Sequence, residues 1–190
     1  MLNITEWSKI SEESFKSFEF DSGMLVKNFN PSSTSAPADE DIICTTTGNI
    51  QATLSPQVAN LGDDVNNLHG DFKELAYIQK WTASLSFTAL EMDTKTFKLA
   101  IGAADIADNK VTPRIYLKPE DFESITLVMR LVGGGLAAVT ISNALSTGGI
   151  SISTSKEGKG NLSVSMTGYS TMSDQSKVPM EFYSIAPSGV

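Results

Sequence analysis

Cysteine, histidine and positive charge are all scarce in this chain. The single cysteine, Cys44, excludes an intramolecular disulfide framework and any multi-cysteine zinc site. The single histidine, His69, excludes paired imidazoles at metal-ligand spacing. Fourteen Lys and Arg stand against 22 Asp and Glu, a net charge of −8. That balance argues against a protein that grips nucleic acid through its phosphates, which takes a basic face. Long apolar runs are missing too. The longest, Leu131 to Ile141, contains three glycines and a threonine and falls far short of the roughly 20 residues of a spanning helix. The first 15 residues lack a basic region followed by an apolar stretch, so they do not read as a signal peptide. A soluble chain made in a cytoplasm, without a membrane partner, is the expectation.

Charged residues are only 19% of the 190, below the usual quarter, and the polarity is carried instead by 41 serines and threonines. Hydroxyls in place of Lys and Glu make poor helix surface and good strand surface. Period-two alternation agrees. Trp81, Ala83, Leu85, Phe87 and Ala89 alternate with Thr82, Ser84, Ser86 and Thr88, which predicts a strand with one apolar and one hydroxyl face. Leu162, Val164 and Met166 against Ser163, Ser165 and Thr167 repeat the pattern. Strands are expected near 23–29, 42–47, 49–58, 76–91, 111–117, 124–132, 136–142, 149–155, 161–169 and 179–185.

One helix stands out, over about 94–104, with Asp93 as cap and Gly102 as a stop candidate. A helical turn is expected after Pro119. The aromatics Trp81 and Phe87 are assigned to the core. The Pro31 to Asp41 stretch reads as a flexible loop, and residues 57–75 form a long connection between two strong strands. The chain is divided into an extended arm, 1–20, and a single domain, 21–190.

Catalytic constellations are absent at the level of motif. There is no G-x-S-x-G and no phosphate-binding glycine loop. Gly133 to Gly135 reads as a bulge linking two strands, since no nucleophile motif accompanies it. His69 reads as a loop histidine and Cys44 as a buried, inert thiol. Paired acids such as Asp63-Asp64 read as solvated loop positions, and Asp105 to Asn109 has neither the spacing nor the glycine of a calcium loop. No enzyme, cofactor or metal is expected.

The order of segments carries more than any motif. An extended arm leads into Gly23–Phe29. Then come Thr47–Ser55, the Asp63-Asp64 loop ending at His69-Gly70, and a long strand with Trp81 and a Leu90-Glu91 end. The helix Thr94–Ala103 and the closing Val178–Tyr183 complete the order. This order resembles the major tail tube protein of long-tailed bacteriophages over residues 20–187, most closely over 74–104.

The resemblance implies a mainly β fold, a two-sheet β-sandwich or barrel with one flanking α-helix (about 94–104) and long assembly loops. It implies homohexameric rings that stack into the hollow tail tube, the conduit for DNA ejection. The partners implied are further copies of the chain, the tape measure, the tail terminator and baseplate or tail-tip proteins, with DNA passing through unbound. The place implied is the virion tail, assembled in the host cytoplasm. Carried onto this chain, the inter-ring loop corresponds to Gly62, Asp63, Asp64, Val65, Asn66, Asn67, Leu68 and His69. The lumen-facing strand corresponds to Thr82, Ser84, Ser86 and Thr88. The candidate inter-subunit arm is Trp7, Phe15 and Phe18, with Asp105, Asp108 and Glu181 as candidate lumen acids. A β-sandwich adhesion or carbohydrate-binding module, or another virion structural subunit, is the alternative.

Overall fold

The computed structural model describes residues 10–33 and 35–187. Trp7 lies outside them. Among the described residues there are ten strands: β1 (Met24–Val26), β2 (Thr46–Asn60), β3 (Ala76–Ala89), β4 (Ala104–Ala107), β5 (Lys110–Pro113), β6 (Glu123–Arg130), β7 (Leu136–Ser146), β8 (Ser151–Ser153), β9 (Asn161–Gly168) and β10 (Met180–Ile185). The described residues also form two helices, α1 (Glu12–Lys16) and α2 (Thr94–Ile101), and short 3-10 turns at Asp39–Asp41 and Pro119–Asp121. The expected class, mainly β with one main helix, is what forms. No helix among the described residues is long and apolar enough to cross a membrane.

Strands β7 and β9 each change partners along their length. β7 keeps β6 on one side, but on the other it pairs with β10 over Leu136–Ile141 and with β9 over Ala144–Ser146. β9 keeps β3, and on its other side takes β8 and then β7. The hydrogen-bonded path therefore folds into two halves, β1-β6-β7-β10 and β2-β3-β9-β8, joined at a β7–β9 corner. Their remaining edges do not meet, so no barrel closes. One core lies between the halves, with Leu25, Ile125 and Ile141 from the first and Leu85, Phe87, Leu162, Val164 and Met166 from the second.

The corner sits where side chains are smallest. Ala83 and Ala144 both pair with Gly168 there. A Cβ on Gly168 would lie 2.8 Å from Cγ1 of Ile141. The close approach of the two halves requires the missing side chain.

Several expected boundaries move. The stretches 42–47 and 49–58 are largely one strand, β2, with a register irregularity after Thr47 where Gly48 takes a positive φ of 69°. Helix α2 ends at Ile101, not 104, because Gly102 (φ 81°) reverses the chain against the carbonyl of Ser146 and Ala104 starts β4. The strand expected over 111–117 stops at Pro113. There Arg114 turns inward to bond Asp121, at 2.6 Å, and leaves Ile115 fully exposed. Helix α1 was not expected; Ser11 caps it by accepting from the Ser14 N–H at 3.1 Å.

At the start of α2, the Asp93 carboxylate accepts the Thr96 N–H at 2.8 Å, and this bond lowers its pKa below the usual carboxylate value. The depressed folded-state pKa means that the cap stabilises above the unfolded-state value and is lost as pH falls through the folded-state value. Asp93→Ala should cost about 1 kcal/mol at neutral pH and progressively less below about pH 4, read from denaturant midpoints across pH. At the corner, Gly168→Ala should cost about 1–3 kcal/mol by overpacking, read in the same titration at neutral pH.

Candidate assembly surface

The outer face of β3 extends into a larger surface. Directly opposed residues in an antiparallel pair project to the same side of the sheet. Ser84 opposes Thr53 on β2 and Thr167 on β9, and Ser86 opposes Gln51 and Ser165. Thr88 opposes Ser163, which opposes Ser151 on β8. The four expected residues Thr82, Ser84, Ser86 and Thr88 are thus the centre of a four-stranded face made of hydroxyls and amides, without a charge from Ser55 and Thr82 across to Ser151. Their partners on β2, β8 and β9 follow from register, which a single sequence does not display.

The candidate acids are placed elsewhere. Asp105 pairs with Arg114 (3.0 Å) and Lys118 (2.9 Å) beside the β4–β5 hairpin, and the Lys118 bond holds its carboxyl below the usual range. Glu181 bonds Lys177 at 2.8 Å on β10, in the other half, and is likewise held low by that lysine. Asp108 occupies the β4–β5 turn with φ 51°. None of the three lies on the hydroxyl face.

Strand β2 borders that face and has a hydrogen-bonded neighbour on one side only. Its 15 residues include no Asp, Glu, Lys or Arg. Edge strands of monomeric proteins are normally short or guarded by charge. Here a long uncharged backbone edge stands open, with Pro56 as its one proline.

Past Ser55 and Thr82, β2 and β3 continue as a two-stranded ribbon, because β9 stops pairing at Ala83. The connection expected over 57–75 is therefore partly strand. A register shift opposite Gln57 and Val58 leaves Gln79 as an extra residue, and Val58 then opposes Ile78. By alternation, this keeps Val58 and Ile78 on the side of Leu54 and Trp81, the core side. None of the described residues covers them: Val58 is 59% exposed, Ile78 50% and Trp81 36%. Trp81 was expected in the core. Its alternation is right, but it stands one step beyond the strands that would bury it.

The ribbon ends in a folded tip, residues 61–75. The Leu61 N–H bonds the Leu75 carbonyl at 3.0 Å, and the Asn60 side chain accepts the Gly62 N–H at 2.9 Å. Gly62 is buried beneath Leu68 and Leu75; a Cβ there would lie 2.4 Å from Leu68 Cδ2. Asp63, Asp64, Val65, Asn66, Asn67 and His69 are all exposed, while Leu68 is half-buried. The tip thus gathers the eight expected loop residues into one structure, with Leu61, Val65 and Phe72 as its exposed apolar groups.

The arm residues lie apart from this region. Val132 and Gly133 donate to the carbonyls of Phe18 and Lys16, both at 2.9 Å, so the arm runs against the β6–β7 turn. A Cβ on Gly133 would come within 2.9 Å of the Lys16 Cβ, so this glycine admits the arm. Phe15 and Phe18 stack edge to face at 5.5 Å and remain largely exposed. Cys44 is buried, and burial pushes its thiol up to about 12, which keeps it protonated at neutral pH.

No protein-family model matches the chain, and no curated protein sequence matches it. Solved structures that are similar at low identity include two phage-like particles. One, described as the virion of a native gene transfer agent (GTA) particle, contains a chain 9% identical over 85% of this chain and 95% of its own, with a TM-score of 0.44. The other, the tail of an empty GTA particle with C6 symmetry, contains a chain 10% identical over 79% and 92%, with a TM-score of 0.34.

The tip makes a local prediction. Gly62→Val should displace Leu68 and Leu75 and open residues 61–75, leaving the core intact. Hydrogen exchange should show protection lost at Leu61, Leu68 and Leu75 while β3 and β9 amides keep theirs.

Proposed function

We propose that this chain is a structural subunit of a phage-type tail, without enzymatic activity, which closes into six-membered rings that stack into a hollow, DNA-conducting tube. The observation that carries the reading is the uncharged four-stranded hydroxyl face bordered by the open edge of β2. A head-to-tail ring pairs part of that edge with the short free edge of the neighbour's β8 (Ser151–Ser153), so that open backbone groups on both find partners. Six such sheets joined edge to edge make a barrel of about 24 strands, beyond the size at which barrels enclose an aqueous channel. At the usual strand spacing and tilt the backbone wall is about 45–50 Å across, wide enough for a DNA duplex.

The face that lines this channel suits its cargo. Hydroxyls and amides keep it wet, and from Ser55 and Thr82 across to Ser151 it has no lysine or arginine to trap phosphates; Lys80, the next residue on that side, stands at the start of the ribbon. The surplus of 8 negative charges, carried away from the face, adds a weak repulsion at low salt. The resemblance to tail tube proteins adds the expected partners: tape measure, terminator and tail-tip or baseplate proteins, in a virion tail assembled in the host cytoplasm. The exposed aromatics Trp81 and Tyr77 are what a carbohydrate-binding module would need, but the extra residue Gln79 sends them to opposite sides of the ribbon, so they form no sugar platform.

Negative-stain microscopy of concentrated protein should show rings or tubes; a persistent monomer overturns the reading, and a reproducible glycan-array hit would replace it. Asn60 opposes Ala76, so residues 61–75 can be replaced by an Asn-Gly turn that closes the ribbon. The shortened chain should still form rings but no tubes. Normal tubes from it would remove the tip from stacking.

A further inference from the structure

Strand directions place two differently charged features at opposite ends of the hydroxyl sheet. β2 runs toward the tip, β3 returns, β9 is antiparallel to β3 and β8 to β9. The β8–β9 loop, residues 154–160, therefore lies at the far end, level with Thr46 and Ala89. Lys156 and Lys159 in that loop are exposed, and among the described residues neither makes an ion pair. With Glu157 they are the only charged residues from Leu131 to Ser173. Beside the loop, the methyl of Met92 lies 3.7 Å from where a Gly160 side chain would begin, and Met92 is largely exposed.

The tip has the complementary character. Asp63, Asp64, Asp71 and Glu74 stand there against Lys73, which pairs with Glu74 at 3.5 Å. Leu61, Val65 and Phe72 are exposed among them.

We propose that the acidic tip of one copy docks on the Lys156–Lys159 loop of a second copy in the next ring. The proposal rests on the tail-tube reading above and names the receiving surface for its stacking contact. The occupant follows from placement and charge. A two-fold contact would set tip against tip, carboxylate against carboxylate, whereas a head-to-tail displacement along the strands brings acids to lysines. A head-to-tail contact also repeats without closing, as a growing tube requires. Leu61, Val65, Phe72 and Met92 supply apolar area to bury, while the charges set orientation and encounter rate.

The test uses the full chain, with tube growth followed by light scattering and ring integrity by native mass spectrometry. Asp63→Lys/Asp64→Lys and Lys156→Glu/Lys159→Glu should each leave rings intact and slow elongation about tenfold or more at low salt. All four substitutions in one chain should restore elongation to within about threefold of the unmodified protein, which a folding defect would not do. Circular dichroism checks that each variant is folded. The proposal is overturned if either pair alone elongates at the unmodified rate, or if the folded fourfold variant stays as slow as the pairs. An unmodified chain that forms neither rings nor tubes overturns the tail-tube reading itself.

Discussion

Strand β3 faces two environments, and the rest of the structure depends on how it does so. Ala83, Leu85, Phe87 and Ala89 are sealed in the core, while Thr82, Ser84, Ser86 and Thr88 look outward. The dry side draws the β1-β6-β7-β10 half onto it, because apolar area leaves water only when both halves contribute. From Thr82 to Thr88 the wet side stays hydrated without ionic groups, so neighbouring strands extend it as a neutral surface; Lys80, the next residue on that side, opposes Gln57 at the start of the ribbon.

The same alternation explains the ribbon. Its pattern continues past the last covering strand, and the extra residue Gln79 keeps Val58 and Ile78 in phase with Trp81. Side chains that would be core inside the sandwich become exposed surface outside it. A ribbon this apolar, together with a charge-free edge on β2, is a liability for a lone subunit and a resource for a polymer. The small residues at the β7–β9 corner make the rest possible. They let the two halves close on one side only and leave β2 and β8 as free edges of the hydroxyl sheet.

Much of this was legible in the residues. The β3 and β9 alternations, the Asp93 cap, the Gly102 stop candidate and the turn after Pro119 all follow from local chemistry, and local chemistry decided them. The errors have a common source. Trp81 obeys the alternation but lies beyond the burying strands. β2 was read as two strands because Gly48 interrupts a ladder that resumes after it. The stretch after Pro113 alternates like a strand, yet Arg114 is drawn out of line by Asp121, a partner seven residues on. The candidate acids Asp105 and Glu181 are engaged by lysines and lie off the hydroxyl face.

By itself the sequence determined the class of fold, the two-faced character of its strands and the identity of the loop that becomes the tip. These are properties of period and composition, carried by each segment alone. Tertiary structure decided which strands lie side by side, and therefore that the separate hydroxyl rows merge into one uncharged face. It also decided which edges stay open, which apolar residues are left uncovered, and that the acidic tip and the lysine loop stand at opposite ends. Such facts depend on register and chain direction between residues far apart in sequence, and short-range periodicity contains no information about either.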